Sequence, residues 1–143
     1  MIKSTYPSID ASIFEQSSSM NTGIDSILEL SKISSSAGVF TSRILIKFPL
    51  EEISASVASG KISNPSFYLN LYQSETSAIP RDYTLVCHPV SQSWANGVGR
   101  TVEPTKLNGV NREGVSWTYR NKQSDRIEYM PSKDLQWTSR SLH

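Results

Sequence analysis

The side chains that most often bind metals or act as nucleophiles are sparse in this chain. Only two histidines occur: His143 is the last residue, and His88 lies beside Pro89. Cys87 is the single cysteine, so the chain has neither a disulfide framework nor a thiolate cluster. No second histidine or cysteine lies at the spacing of known zinc sites. The sequence therefore predicts no metal site around His88.

Acidic residues and serines are the other groups that could do chemistry. Glu51 and Glu52 are adjacent, so on a strand they would face opposite sides, whereas glycoside hydrolysis needs two acids that face each other across a cleft. Four further acids lie in turn-like contexts: Asp82, Glu103, Glu113 and Asp125. Serines are abundant, but no Gly-x-Ser-x-Gly elbow accompanies them. The sequence predicts no catalytic residue and no cofactor, and hence a protein that is not an enzyme.

The glycine-rich stretch at residues 97–100 superficially suggests a phosphate-binding loop. Gly97 and Gly99 are followed by Arg100, but the Gly-Lys-Ser/Thr ending and a following helix are missing. A tight connection between two sheets explains this stretch better.

Composition limits the class of protein. A chain of 143 residues is long enough for one domain with a single core. Its net charge of +1 gives no field that would recruit nucleic acid or an anionic membrane, so neither is expected as a partner. No stretch approaches the roughly 20 apolar residues of a membrane span. The N-terminal segment also lacks the apolar run of a secretory signal, which predicts synthesis in a cytoplasm.

The clearest strand covers residues 39–48. Apolar residues alternate along it, and Phe40, Ile44, Ile46 and Phe48 are predicted to form its buried face. Arg43 and Lys47 have the opposite parity and are predicted to lie on a solvated face. Pro49 ends the strand because proline donates no ladder hydrogen bond.

Shorter strands are predicted on either side of this one. They cover residues 10–15, 66–73, 83–88, 113–120 and 125–129, and Cys87 is predicted to be a buried apolar side chain in one of them. Residues 16–23 are predicted to be a loop in which Asn21 and Gly23 supply unusual backbone angles. Residues 24–33 could form either a strand or a helical turn, and residues 34–38 are predicted to break it. Residues 50–59 could form either a short helix or an irregular connection. The spacing predicts an all-β fold, an antiparallel sandwich or barrel with at most one short helix.

Several segments, taken in order, resemble the DNRLRE-type jelly-roll modules, which occur in secreted bacterial proteins and, in a variant form, in bacteriophage virions. The similar segments are residues 10–13, 21–23, 28–30, 42–48, 66–72, 83–94 and 114–117. The framework residues of the resemblance are Arg43, Phe48, Trp94, Gly97, Gly99 and Trp117, and their spacing is most similar to the phage variant. The resemblance covers roughly residues 10–120 and implies an antiparallel β-sandwich of jelly-roll type. The predicted domains are an N-terminal arm (1–9), the sandwich (10–130) and a C-terminal tail (131–143).

The resemblance has two further implications. Jelly-roll modules often hold a structural calcium ion near their N-terminal segment, and Asp10 and Asp25 could supply oxygen ligands. The family usually continues with further strands after the second tryptophan. This leaves three alternatives: a shortened fold, a longer parent chain, or a strand supplied by a partner across an open sheet edge.

The tryptophans separate two functional hypotheses. Exposed indoles would stack on sugar rings in a carbohydrate-binding module, whereas Trp94 and Trp117, at predicted strand ends, are expected to be buried. Trp137 lies in the polar tail and is predicted to be an interface anchor, together with Tyr6, Arg140 and Leu142. We expect a non-enzymatic structural protein of a bacteriophage virion that contacts capsid, neck or tail proteins in many copies; a glycan-binding module is the alternative.

Overall fold

The computed structural model describes residues 2–74, 84–101, 113–122 and 135–137. The elements in these ranges are β1 (Ile9–Phe14), β2 (Lys32–Ser35), β3 (Gly38–Lys47), α1 (Glu51–Ala58), β4 (Tyr119–Asn121) and β5 (Leu135–Gln136). Most of this regular structure is β, as the spacing of the predicted strands indicated. No helix in the described ranges is long and apolar enough to cross a membrane.

Strands β1, β3 and β2 form an antiparallel sheet with β3 in the centre. Ala11 pairs with Leu45 and Ile13 with Arg43, whereas Ile33 of β2 pairs with Phe40. The predicted strands at residues 10–15 and 39–48 are therefore confirmed. The predicted break at 34–38 is wrong in part, since Ser34 and Ser35 belong to β2, and Gly38 already begins β3.

The core lies on the face of this sheet that the sequence assigned to solvent. Its fully buried apolar residues are Ala11, Ile13, Leu45 and Val115. Leu45, which has the parity of Arg43 and Lys47, is buried, whereas Phe40, Ile44, Ile46 and Phe48 are half-buried, so the prediction that these four form the buried face is wrong in part. The small Ala11 and the branched Ile13 of β1 lie beside Leu45 and complete the apolar surface on that side.

Strand β4 pairs with β5 to form a second, two-stranded antiparallel unit. Of the predicted strand at 113–120, only the last two residues are in β4, but Gly114 adds an isolated bridge to Lys122. Strand β5 lies within the predicted C-terminal tail, so part of that tail belongs to a sheet. The predicted strand at 125–129 lies outside the described residues.

Two predicted strands are absent from the described residues. Residues 66–73 and 84–88 form no strand, and their side chains are exposed on both parities. Alternation makes a segment suitable for a sheet, but a strand also requires a neighbouring backbone to pair with. Cys87 is accordingly exposed, and the prediction that it is buried is wrong.

Residues 51–58 form the short helix that the sequence left as one of two alternatives. Glu51 and Glu52 lie in its first turn, where negative charge is favoured by the helix dipole. Gly60, with a φ of 73°, follows the helix end in the left-handed conformation typical of helix termini. Residues 24–30 form neither a strand nor a helix.

Candidate functional site

Asn21 joins three segments that are far apart in the sequence. Its side-chain Nδ2 donates hydrogen bonds to the carbonyl oxygens of Asn96, at 2.5 Å, and Val115, at 2.7 Å. Its Oδ1 accepts from the backbone N–H of Gly99 at 2.7 Å and of Gly23 at 3.2 Å. Asn21 is only 2% exposed, so the buried amide uses both donors and both acceptor positions. We call this cluster the Asn21 junction.

Three glycines let the backbones approach at the Asn21 junction. A Cβ on Gly97 would overlap the carbonyl of Glu113, and a Cβ on Gly23 would overlap that of Asn96. A Cβ on Gly114 would lie 2.5 Å from Cα of Gly97. Gly97 and Gly114 also have positive φ angles of 76° and 99°. These positions therefore require glycine both for its conformation and for the missing side chain.

The predicted tight connection at residues 97–100 is thus a close backbone crossing. Gly99 is buried, and its N–H is already bound to Asn21, so this group is not free to hold a phosphate. The prediction of unusual backbone angles at Asn21 and Gly23 is wrong, because neither has a positive φ. Asn21 acts through its side chain, and Gly23 through the space it leaves.

Hydroxyl groups attach residues 22–31 to the three-stranded sheet. Thr22 Oγ1 accepts from the N–H of Ser12 at 2.9 Å and donates to its carbonyl at 2.7 Å, as a neighbouring strand would do. Ser12 Oγ accepts from the N–H of Glu29 at 2.7 Å. Ser42 Oγ donates to the carbonyl of Glu29 at 3.1 Å and accepts from the N–H of Ser31 at 2.6 Å. The loop thereby satisfies buried polar groups and covers the middle of the sheet.

Asp25 secures the same loop to the segment that follows Gly99. Its two carboxylate oxygens accept from the N–H of Thr101 at 3.2 and 3.0 Å, and one also accepts from the Thr101 hydroxyl. Asp10 lies in β1 opposite Ile46. Within the described ranges, no group of three or more histidine, cysteine or acidic side chains could hold a metal ion. Calcium binding by Asp10 and Asp25 stays a prediction.

The three tryptophans pack against the core. Trp94, Trp117 and Trp137 are partly buried against the cluster that contains Ile13 and Val115. The expected inward packing of Trp94 and Trp117 is confirmed, although neither is fully buried. The Nε1–H of Trp137 donates to the carbonyl of Ser116 at 2.9 Å, which gives this indole an acceptor inside its own chain.

Arg43 lies over the ring of one of these tryptophans, Trp117. Its guanidinium carbon lies 4.8 Å from the centroid of the Trp117 ring, within the range of a cation–π interaction. The prediction that Arg43 lies on a solvated face is therefore wrong: it is half-buried on the core side of the sheet. Lys47, at the end of the same row, is exposed.

The predicted interface residues are not brought together by the described part of the chain. Tyr6 is 82% exposed in the N-terminal arm, whereas Trp137 packs on the core. Arg140 and Leu142 lie outside the described residues. The arm is attached at two points: Ser8 N–H donates to the Lys47 carbonyl at 2.8 Å, and Lys3 Nζ donates to Glu52 Oε2 at 2.6 Å. The hydrogen bond and the charge of Lys3 lower the pKa of Glu52 below its usual value.

Sequence reasoning missed the residues that hold this arrangement together. Asn21, Thr22, Ser12 and Ser42 are all buried polar residues. The available signal was the group Asn-Thr-Gly at 21–23, together with a serine inside each of two strands. Comparison of the chain with protein-family models, curated proteins and solved structures found no match. The resemblance to DNRLRE-type modules therefore stays a prediction.

Proposed function

We propose that this chain is a non-enzymatic structural component of a bacteriophage virion, folded as a β-sandwich of jelly-roll type. It would be an accessory or decoration protein of the capsid, neck or tail, present in many copies. Its function would be to contact other virion proteins through exposed apolar side chains carried on a fixed frame. The sequence resemblance to the phage variant of the jelly-roll modules supports this assignment.

The observation that carries the proposal is the amount of large apolar side chain at the surface. In the N-terminal arm, Ile2 is 97% and Tyr6 is 82% exposed, and further exposed aromatic residues follow α1. Large apolar side chains that lie together at the surface are typical of regions that become buried against another protein. Aromatic side chains contribute most of the energy in such interfaces.

The buried polar residues suit the same role. Asn21, Thr22 and Asp25 bind backbone groups of distant segments and so fix loops relative to the sheet. Loops that are fixed in this way would lose little entropy on contact with a neighbouring subunit, which favours association.

The decisive experiment is mass spectrometry of particles purified from the phage or prophage whose genome encodes this chain. We expect the protein to co-sediment with intact particles in many copies, while non-structural proteins of the same lysate stay behind. Tyr6→Ala should lower its incorporation, and Lys32→Ala, at an exposed site on β2, should not. Absence of the protein from purified particles would refute the virion role.

Glycan binding is the second candidate. It depended on exposed tryptophans, and all three tryptophans pack on the core. Two other aromatic residues, Tyr68 and Tyr72, are 86% and 93% exposed and offer ring faces for stacking on sugars. Binding to a glycan array that Tyr68→Ala or Tyr72→Ala removes, with the melting temperature unchanged, would favour this alternative.

A further inference from the structure

The segment at residues 66–73 has the pattern of a strand but no partner within the described chain. Phe67 is 70% exposed on one parity, and Tyr68 and Tyr72 are more exposed still on the other. No backbone hydrogen bond joins the segment to another described residue. Among the described residues, this apolar stretch therefore has exposed side chains of both parities and no backbone partner.

We propose that two copies of the chain pair their 66–73 segments, antiparallel and about a two-fold axis, to form a symmetric dimer. An isologous contact of this kind needs no second surface on the molecule, because the segment is its own complement. Side chains of one parity stay together in such a pair, so Phe67, Leu69 and Leu71 of both copies would form one continuous apolar strip. The tyrosines and Asn70 would lie on the opposite face.

The charge pattern of the segment favours self-pairing. No Asp, Glu, Lys, Arg or His occurs between residues 62 and 74. In an antiparallel pair about a two-fold axis, a charge near the centre of the segment would lie close to its own copy, which is destabilising. A segment that bound a charged partner would not need to be uncharged. Exposed strands usually avoid pairing by carrying lysines or prolines. Residues 66–73 contain neither, and Pro65 lies just before the segment.

The segment exposes apolar side chains on both faces, and these would pack across the two strands of a pair. Phe67, Tyr68 and Tyr72 alone expose roughly 400–600 Å², if each aromatic side chain covers about 150–250 Å². Leu69 and Leu71, each about half exposed, add to the apolar side chain that would pack across the two strands. The largest apolar patch of a typical monomer is about 300–600 Å².

The edges of the three-stranded sheet fit this pairing less well. At Ser12, the outward N–H and carbonyl of β1 are already bound by Thr22 Oγ1. The outer strand on the other side, β2, is only four residues long and begins with the exposed Lys32. Short length and an exposed lysine both oppose strand addition. These features favour the 66–73 segment over β1 and β2 as the dimer contact.

The test is sedimentation velocity of the full chain over a range of concentrations. We expect a discrete dimer, and Leu69→Asp should raise its dissociation constant about tenfold or more, since each carboxylate would lie opposite an apolar side chain of the partner strand and replace an apolar cross-strand pair. Ile2→Asp places the same charge at a fully exposed apolar site in the arm and should leave the dimer unchanged. A wild-type monomer at all concentrations, an open-ended aggregate, or a dimer that tolerates Leu69→Asp would each overturn the proposal.

A second measurement, thiol crosslinking, tests the pairing without changing Phe67, Leu69 or Leu71. In the Cys87→Ser background, Asn70→Cys places a thiol at the centre of the segment, where two copies would bring the thiols together. Mild oxidation should then give a covalent dimer, whereas Ser4→Cys, in the exposed arm, should stay largely monomeric. Equal crosslinking at both sites would contradict the proposed pairing. The dimer and the virion role can fail separately. A protein that forms the dimer but is absent from purified particles would refute only the virion role.

Discussion

The guanidinium of Arg43 lies over the indole ring of Trp117, with 4.8 Å between its carbon and the ring centroid. This contact joins the central strand of the sheet to the segment that supplies Val115, a fully buried core residue. It also explains how a charged residue can lie on the core side of β3. The cation is accommodated because its neighbour is an aromatic face rather than an aliphatic side chain.

We therefore expect Arg43→Ala to lower the free energy of unfolding by roughly 0.5–2 kcal/mol, from the lost cation–π contact and the lost packing of the arginine stem. Lys47→Ala removes an exposed cation from the same row of β3 and should change stability by less than about 0.5 kcal/mol. Urea denaturation followed by tryptophan fluorescence measures both. Equal effects of the two substitutions would show that the Arg43–Trp117 contact contributes nothing specific.

The β3 strand shows what the sequence could and could not predict. Its position, its end before Pro49 and its pairing potential followed from alternation, and the same reasoning located β1. Which face carries the core did not follow, because Phe40, Ile44 and Ile46 are more apolar than the set that contains Leu45, which also holds Arg43 and Lys47. The choice depends on Ala11, Ile13, Val115 and the tryptophans, which reach that face from distant parts of the chain. The alternation of apolar residues along one strand does not show which face other segments of the chain will pack against.

The same distinction applies to the candidate site. The glycines at 97 and 99 and the two tryptophans stood out because their residue types are rare and restrictive. Asn21 did not, because an asparagine next to a glycine is also a common turn residue. Only its bonds to segments about 75 and 94 positions away distinguish its role from that of a local turn.

Asn21→Ala should destabilise the fold strongly. The substitution leaves two carbonyls and two N–H groups without their partner at a site that is almost fully buried, so we expect a loss of about 3 kcal/mol. Gln16→Ala, which removes an exposed amide from the turn after β1, should have an effect below about 0.5 kcal/mol. Thermal and urea denaturation measure the difference. A small loss at Asn21 would mean that water replaces the amide, and that the junction is not held by this side chain.

The ion pair between Lys3 and Glu52 predicts a pH effect in the arm. Lys3 lowers the pKa of Glu52 in the folded protein. The ion pair therefore stabilises the fold at pH values above the pKa that Glu52 has in the unfolded chain. This stabilisation is lost as the pH falls through the lower pKa that Glu52 has in the folded protein. Lys3→Met should raise the pKa of Glu52 toward its ordinary value, as measured by NMR titration of the side-chain carboxyl. Lys61→Met removes an exposed lysine that follows α1 and serves as the control. An unchanged Glu52 titration in Lys3→Met would show that the arm does not hold this pair in solution.

Gly60 and Gly97 have nearly the same φ angle but different surroundings. Alanine substitutions at these two positions therefore distinguish the cost of backbone strain from the cost of a steric clash. Gly97 has a φ of 76° and Gly60 a φ of 73°, but a Cβ on Gly60 would meet open space, whereas one on Gly97 would overlap the Glu113 carbonyl. Gly60→Ala should therefore cost only the left-handed strain, about 1–2 kcal/mol. Gly97→Ala adds the clash and should cost at least about 2 kcal/mol more, or prevent folding altogether. Stability from urea denaturation, with soluble yield where the variant does not fold, measures both. If the two alanine variants were equally stable, left-handed strain alone would explain the need for glycine at position 97. The close approach of the backbones at the Asn21 junction would then not exist in solution.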